Sequence, residues 1–385
     1  MQKDTGASVR IYNLAKCLAE SGNDVKVVLP RDKATREVIE GVTVLGRRGL
    51  IPRAMLQVLK KFIDVGRPTA LYFYDFLFAF RIGRFIREAD IVQIEQQSSG
   101  GLLIPLIKRV WKRPLVVDCH DVFQTLRVRY TTNLRRMLET FLEKLAYENA
   151  DLVLTVSEDE KKCLISEGFG KCNIEVIPNG ADTKLFFKHH VQKEIREKYH
   201  LEGFQTVVFV GNLKYFPNRE AIQLLSSVIA PRTFDKIKNV KFLVIGRRPP
   251  ELRQPNLVFT GFVDNISDLL NMADVAVAPL FHGSGTRLKI LEYFSCGLPV
   301  VSTSVGAEGL DVKDGVNIFV EDDIESFALR IVELLQNENL SAAMGKAARE
   351  LATSTYDWSQ ITHKLEFALN RLLSERLVVN SVLNR

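Results

Sequence analysis

The stretch from Gly283 to Val301, GSGTRLKILEYFSCGLPVV, is the most informative part of the sequence about the fold. It begins as a loop of small residues, continues with the apolar spacing of a helix, and ends with a Gly-Leu-Pro stop before a β-branched strand. A loop of this kind brings free backbone N–H groups and the positive end of a helix to one point, which suits a phosphate group.

Three side chains of this stretch extend that interpretation. Arg287 and Lys289 add cations, and Glu292 can accept hydrogen bonds from a diol such as a ribose. The pattern therefore predicts a nucleotide site. Its alternative is an ordinary loop, helix and strand with a solvated basic face, because short motifs also occur without a ligand.

Outward from this stretch, short Val- and Ile-rich strands alternate with helical patterns along the chain, which is typical of parallel, doubly wound sheets covered on both faces. Strands are predicted in two series, near Asp24–Pro30, Val42–Leu45, Asp90–Glu95, Leu115–Cys119, Leu152–Val156 and Ile174–Ile177, and near Thr206–Val210, Lys241–Ile245, Leu257–Thr260, Val275–Ala278, Pro299–Ser302 and Asn317–Val320. Two series predict two Rossmann-like domains, whose facing strand ends would share a cleft.

The domain boundaries follow from the same pattern. We expect an N-terminal domain at 1–183, a second domain at 184–355, and a terminal helix at 356–385 that returns to the first domain. No strand precedes the first helical pattern, although a doubly wound sheet normally begins with its central strand. We therefore expect either that the natural chain extends upstream of Met1 or that the 385-residue form is poorly stable.

Composition places the chain among ordinary globular proteins. It has 385 residues, 25% charged and 46% hydrophobic, which favours two domains. Its five cysteines show no C-x-x-C spacing, so neither a disulfide framework nor a zinc site is predicted, and a reducing cytoplasm is expected. No apolar run reaches the roughly 18 residues of a membrane span, and the first residues lack a signal-peptide pattern.

The charge is unevenly distributed. The net charge is +6, yet residues 47–113 alone hold 13 Lys or Arg against 5 Asp or Glu. Aromatic and aliphatic residues are interleaved with these cations, a pattern that suits an anionic membrane surface or an anionic acceptor. No nucleic-acid recognition motif accompanies the charge, so nucleic acid is not expected as a partner. The alternative is a set of amphipathic helices with solvated basic faces.

Short motifs elsewhere in the chain share an order and spacing. They are Gly6-Ala7-Ser8, Cys119-His120-Asp121, Val156-Ser157, Ile177–Asp182, Phe209–Asn212, Val244–Gly246, Gly261–Val263, Ala273–Val275, Gly297–Val301 and Gly306–Leu310. Together with Glu292 they resemble the group 1 family of retaining, GT-B-fold glycosyltransferases over nearly the whole chain.

The resemblance implies an acceptor-binding N-terminal domain, a C-terminal domain that holds a nucleotide sugar, and transfer with retention at the anomeric carbon. The chain has no D-x-D motif, and GT-B relatives need no such metal site, so no metal and no other cofactor is expected. Lys, Arg and helix N-termini would then offset the charge of the leaving group. The family mechanism is front-face transfer, in which the departing phosphate helps to deprotonate the acceptor, and no side chain is nominated as a nucleophile.

Site residues follow from the resemblance by position. Glu292 should bind the ribose hydroxyls, the backbone of Gly285 and Thr286 should meet the donor, and Val263 should hold the base through its main chain. Gly211 is also placed at the donor.

Two further residues of the first domain are implied. His120, after an acceptor-domain strand, should contact the donor sugar, although a single histidine is often structural. Gly6 should let the first helix approach the donor phosphate, since a side chain there would fill that space; its alternative role is that of a turn glycine.

Ser284 marks a departure from the family, because it replaces the first glutamate of the family's E-x7-E pair. The contact of that carboxylate with sugar hydroxyls is therefore missing, and the donor sugar is left open.

A second departure is the loop after the first donor-domain strand, which lacks the family's phosphate-binding Arg and Lys. Asn212 and Pro217 stand where they would fall. We hypothesise that Arg287 and Lys289 replace that pair; weaker candidates are Lys214 and Arg247.

These observations lead to one principal function. We expect a retaining glycosyltransferase of polysaccharide, glycolipid or glycoprotein synthesis, cytoplasmic and peripheral on the inner face of the cell membrane, that takes a nucleotide-sugar donor and a glycan or lipid-linked acceptor. Two alternatives are a GT-B-fold nucleotide-sugar 2-epimerase and an inactive partner subunit that binds nucleotide. Ser284 and the absent first strand favour the inactive subunit, whereas Glu292, His120 and the basic loop count against it.

Overall fold

The computed structural model describes residues 6–30, 34–47, 81–95, 104, 107–120, 133–191, 193–252, 254–283 and 286–383. The chain divides into two compact units, residues 1–178 with 361–385, and residues 179–360. Among the described residues, none of the helices combines the length and the apolar character that crossing a membrane requires.

The first unit opens with helix α1 (Gly6–Glu20), so the expected loop at Gly6 is instead the first helical turn. Strands β1 (Lys26–Pro30), β2 (Thr35–Ile39) and β3 (Val42–Arg47) form a sheet in the order β1-β3-β2. β1 and β3 are parallel, as predicted, whereas β2 is an additional strand, which was not predicted and runs antiparallel to β3.

Strand β2 escaped prediction because of its composition and its short turn. Its sequence TREVI is mostly exposed and has no continuous apolar run. Glu40 and Gly41 join it to β3, with φ of 45° and 80°. Positive φ at both central residues is the geometry of a two-residue hairpin, which a Glu-Gly pair signals only weakly.

The second sheet of this unit is parallel throughout, as predicted, in the order β4-β5-β6-β7. Its elements are helix α2 (residues 81–88), β4 (Val92–Glu95), a π-helical segment (Ile107–Trp111), β5 (Leu115–Asp118), α3 (Asn133–Asn149), β6 (Leu152–Thr155), α4 (Glu158–Leu164) and β7 (Ile174–Val176). β5 and β6 are buried at every position, which is what their unbroken apolar runs predict.

The second unit is one six-stranded parallel sheet in the order β10-β9-β8-β11-β12-β13. This confirms the predicted doubly wound sheet. Its elements are α5 (Lys193–Lys198), β8 (Gln205–Val210), α6 (Phe216–Leu224), α7 (Ala230–Lys236), β9 (Val240–Ile245), β10 (Leu257–Gly261), α8 (Ile266–Asn271), β11 (Val275–Ala278), α9 (Leu288–Ser295), β12 (Val300–Ser302), β13 (Phe319–Val320), α10 (Ile324–Gln336) and α11 (Glu338–Thr355).

Burial on both faces of this sheet fixes its register. Val207 and Phe209 of β8 enter one apolar cluster, while Val208 enters the cluster on the opposite face. The alternation is the period of two of a strand. Strand order reverses between β8 and β11, and in open α/β sheets the carboxyl ends of the strands at such a point hold ligands.

The last helix is α12 (Trp358–Leu383), and its residues from Ile361 onward group with the first unit. Its Glu366 accepts a hydrogen bond of 2.9 Å from Asn23, and its Arg371 forms an ion pair with Glu175.

Candidate functional site

The carboxyl ends of β8 and β9 approach each other closely at two glycines. A Cβ on Gly246 would lie 1.9 Å from the carbonyl oxygen of Gly211, so only glycine fits there. A Cβ on Gly211 would in turn lie 2.8 Å from the side-chain amide of Asn218. The backbone at this edge of the sheet is therefore tightly packed and leaves its loops little freedom.

Helix α9 is fastened to this edge by Tyr293. The hydroxyl of Tyr293 accepts a hydrogen bond of 2.8 Å from the backbone N–H of Val210, the last residue of β8. Tyr293 is fully buried, and burial raises the pKa of its phenol. The hydroxyl thus stays protonated, and Tyr293 holds α9 against the end of β8.

Lys289 lies in the first turn of α9 and reaches into that loop. Its ammonium donates a hydrogen bond of 2.8 Å to Oδ1 of Asn218 and lies 4.2 Å from the centre of the Phe209 ring. Burial, and then the charge of Arg287, lower the pKa of Lys289 to about 7. A negatively charged ligand would reverse this effect, because an opposite charge favours the ammonium form.

Glu292 lies one turn further along α9 and is half-buried. Burial raises the pKa of its carboxyl to about 7, against the opposing charge of Lys289. None of the described residues donates a hydrogen bond to this carboxylate. Its capacity as an acceptor is available to a ligand.

The N-terminus of α9 is also without a side-chain cap. Its N-cap residue, Arg287, makes no capping hydrogen bond through its side chain, so the first N–H groups of the helix are not closed off in that way. The hydroxyl of Thr286 is buried and has no hydrogen-bond partner among the described residues. Groups of this kind bind anions.

Other predicted donor residues are more scattered. Arg247 stacks on the ring of Phe262, with its Cζ 4.1 Å from the ring centre, next to Val263. Asn212 accepts a hydrogen bond from the backbone N–H of Lys214. Ser284 and Gly285 lie outside the described residues.

His120 belongs to a separate, buried network in the first unit. Arg10 of α1 pairs with both oxygens of Asp118, at 2.9 and 3.0 Å, and also donates to the carbonyl of Pro178. Nε2 of His120 lies 2.6 Å from Glu95 and 3.7 Å from Asp118. Gly6 opens the same helix that carries Arg10.

The protonation of His120 depends on these partners. Burial lowers its pKa, but the hydrogen bond with Glu95 and the charge of Asp118 outweigh burial, so the pKa of His120 is raised. Its Nδ1 is buried and has no hydrogen-bond partner among the described residues. Because Nε2 faces Glu95, Nδ1 is the nitrogen that remains for a ligand.

Glu95, Asp118 and His120 place one potential metal ligand each within 4.8 Å of one another. Arg10, however, already occupies both oxygens of Asp118. A cation would have to displace a buried guanidinium, so the arrangement is that of an ion-pair network.

Sequence reasoning missed several of these residues. Arg10, Glu95 and Asp118 form ion pairs and hydrogen bonds with residues far away in the sequence, and no spacing in the sequence predicts these contacts. Asn218 carried a weak signal, because it follows Pro217 and proline is favoured in the first turn of a helix. Tyr293 was visible only as an apolar position of α9.

Two family models match the chain. The model of the glycosyl transferases group 1 matches residues 204–337, and that of Glycosyltransferase Family 4 matches residues 5–185.

Known relatives are similar over most of the chain. A sulfoquinovosyl transferase of Arabidopsis thaliana is 26% identical over 94% of this chain and 69% of its own length. A phosphatidyl-myo-inositol mannosyltransferase of Mycobacterium leprae is 28% identical over 94% of this chain and 91% of its own. The crystal structure of Anabaena HepE in complex with UDP superposes with a TM-score of 0.70 at 17% identity, covering 96% of this chain and 98% of HepE.

Proposed function

The chain belongs to the group 1 glycosyltransferases and has the GT-B fold, and from this premise we propose that it is a retaining, metal-independent enzyme that moves a sugar from a nucleotide-sugar donor to a glycan or lipid-linked acceptor. One observation carries the proposal. The N-terminus of α9 gathers a buried hydroxyl, a half-buried lysine and an acceptor carboxylate at the carboxyl edge of a parallel sheet.

These groups divide between the parts of the donor. Lys289, Arg287, Thr286 and the first N–H groups of α9 contact the diphosphate, because they supply positive charge and donors. Glu292 accepts hydrogen bonds from the ribose hydroxyls, and its pKa of about 7 lets it do so as a carboxylate at neutral pH and above.

The remaining predicted residues keep their roles within the proposal. Val263 holds the base through its main chain, and Gly285 and Thr286 meet the donor through theirs. Ser284, which stands in place of the family's glutamate, leaves the sugar unspecified.

The loop residues Gly211 and Asn212 border the diphosphate. Arg247, which stacks on Phe262, is a weaker candidate than Lys289 and Arg287 for the cation at that diphosphate. Gly6 leaves space for the phosphate at the start of α1.

The proposed transfer depends more on stabilising the negative charge of the leaving diphosphate than on a protein side chain that acts as a base. As the bond to the sugar breaks, negative charge grows on the leaving diphosphate, and fixed cations and helix N–H groups lower the energy of that state. The departing phosphate takes the proton of the acceptor hydroxyl, so attack and departure occur on one face of the sugar. His120 contributes a hydrogen bond to the sugar through Nδ1, the nitrogen that has no hydrogen-bond partner among the described residues.

Two observations support a lipid-linked acceptor: the name of a relative and the positive charge of one surface of the first unit. The M. leprae relative carries a lipid, phosphatidyl-myo-inositol, in its name. In the first unit, α2 packs on the π-helical segment so closely that a Cβ on Gly83 would lie 2.9 Å from Trp111. The exposed side chains of these two segments include Arg84, Arg87, Arg109 and Val110, beside Glu88, and the exposed Lys112 follows the second segment.

We propose that this basic surface docks the enzyme on anionic lipid at the inner face of the cell membrane. The rest of the basic region, residues 48–80, 96–103 and 105–106, lies outside the described residues. Each cation near such a surface contributes about 1 kcal/mol and is screened by salt.

Vesicle binding tests the docking. Binding should rise with the fraction of anionic lipid and fall steeply with salt, and Arg109→Glu should weaken it. Lys162→Glu, a change of equal charge at an exposed site of α4, is the control and should weaken it less. Equal binding to neutral and anionic vesicles, or none to either, would refute docking through this surface.

A thermal-shift panel of UDP-, GDP- and ADP-sugars tests the function. A ligand at about a hundred times its dissociation constant stabilises a protein by roughly 2.7 kcal/mol, which identifies the donor. Transfer to an acceptor should then proceed with retention and in EDTA. Donor turnover without acceptor to an epimerised product would indicate the epimerase, and binding without any turnover would indicate an inactive partner subunit.

A further inference from the structure

We propose that Asn218 is a positioning residue for the donor diphosphate: its side-chain amide holds the ammonium of Lys289 at the carboxyl end of β8, in place of the cations that the family carries in that loop. The inference rests on the proposed function, because it concerns the same donor site. Through this contact the ammonium of Lys289, a residue of α9, is held next to the loop that follows β8.

The geometry of Asn218 supports this role. It lies in the first turn of α6 and is 6% exposed. Its Oδ1 accepts from Nζ of Lys289 at 2.8 Å, and its Nδ2 donates to the carbonyl of Asn212 at 3.0 Å. An ammonium can only donate and a carbonyl can only accept, so these two partners fix the orientation of the amide.

The surroundings leave the amide and the ammonium little freedom. Phe209 lies beneath Lys289, with its ring centre 4.2 Å from Nζ, and is itself 1% exposed. Gly211 lies against the amide, where any Cβ would be 2.8 Å from it. The ammonium is therefore held between a buried ring and a buried amide.

The chemical nature of the partner matters. A carboxylate at this position would pair with Lys289 and cancel its charge before any ligand arrives. A neutral amide oxygen accepts a hydrogen bond from one of the three N–H groups of the ammonium. It does not neutralise the positive charge, which stays available to a phosphate. Orienting the cation in advance also reduces the entropy lost when the donor binds.

The test compares two ligands that differ only in the diphosphate. Affinities of UDP and uridine, or of the corresponding pair for the base that the panel selects, are measured by calorimetry for the wild-type protein and for Asn218→Ala. The expected result is a loss of roughly 10- to 100-fold for UDP, since a charged hydrogen bond is worth about 1.5 to 3 kcal/mol. Uridine affinity should change by less than about twofold, because uridine lacks the phosphates.

Further variants separate positioning from structural damage. Asn218→Asp should also weaken UDP selectively, and Lys289→Met should do so to the same extent, with no further loss in the double variant with Asn218→Ala. If Asn218→Ala does not fold, the comparison rests on Asn218→Asp and Lys289→Met. Asn337→Ala, which removes the N-cap of α11, is the control for lost stability and should leave both affinities unchanged.

The outcomes are distinguishable. Equal weakening of UDP and uridine, or no weakening of either, would overturn the role of Asn218 while leaving the donor site intact. Absence of nucleotide binding by the wild-type protein would overturn the proposed function itself.

Discussion

Lys289 and Glu292, one turn apart on α9, are two ionisable residues of the proposed donor site whose pKa values are shifted by burial. Burial moves the pKa of each to about 7, one downward and the other upward. Desolvation disfavours the charged form of both groups, so each keeps its charge only weakly while no ligand is bound. A diphosphate would restore the charge of Lys289.

Donor affinity should therefore depend on pH through Lys289. Above pH 7 the lysine loses its proton, and binding must take one up, so affinity should fall by up to about tenfold per pH unit. Lys289→Arg, which stays charged at every accessible pH, should flatten this fall. Calorimetry with a nucleotide sugar between pH 6 and 9 checks it; the same slope in Lys289→Arg would assign the proton to another group.

His120 shows a shift of the opposite kind. Its pKa is raised despite burial, because Glu95 and Asp118 favour the imidazolium. The stabilisation that this gives the fold is fully present below the ordinary histidine pKa and is lost as the pH rises through the raised value.

We expect Glu95→Gln to lower the pKa of His120, because the variant removes the carboxylate that favours the imidazolium. Histidine-selective NMR titration measures this directly. Glu88→Gln, which alters an exposed pair with Arg84, is the matched control and should leave His120 unchanged. If His120 titrates alike in Glu95→Gln and the wild-type protein, Glu95 does not set its protonation.

The ends of β8 and β9 make the site rigid through their backbones. Gly246 belongs to one of the motifs that carry the family resemblance, and its close approach to Gly211 explains why a glycine stands there.

Gly246→Ala should destabilise the second unit by at least about 2 kcal/mol, because the added methyl group would meet a carbonyl oxygen at 1.9 Å. Gly170→Ala is the control. Gly170 has helical φ and an ordinary contact of 3.5 Å, so its change should stay below about 1 kcal/mol. Urea unfolding compares them; similar midpoints for the two variants would contradict the close approach.

Elements with strong local signals were predicted well, and those fixed by distant partners were not. The strands of the second unit are rich in Val, Ile, Leu and Phe, and each formed where it was predicted. β2 has no such run and is held by pairing with β3. The contact of Asn218 with Lys289 joins residues 71 positions apart, and no local pattern specifies it.

At the scale of the whole molecule, the two doubly wound series and the family followed from the order and spacing of motifs, because each motif ends a strand or begins a helix. The identity of the nucleotide and the sugar could not follow. It depends on side chains that meet only after folding, and at Ser284 the family's contact with the sugar is absent from the sequence itself.

The central claim is that a nucleotide sugar binds at the start of α9 with its ribose on Glu292. The most direct measurement is the calorimetric affinity of Glu292→Ala for the donor, with the exposed Glu350→Ala as control. Each hydrogen bond to a charged group is worth about 1.5 to 3 kcal/mol, so we expect donor binding at least about tenfold weaker in a folded Glu292→Ala protein. Unchanged donor affinity in that variant would contradict the account.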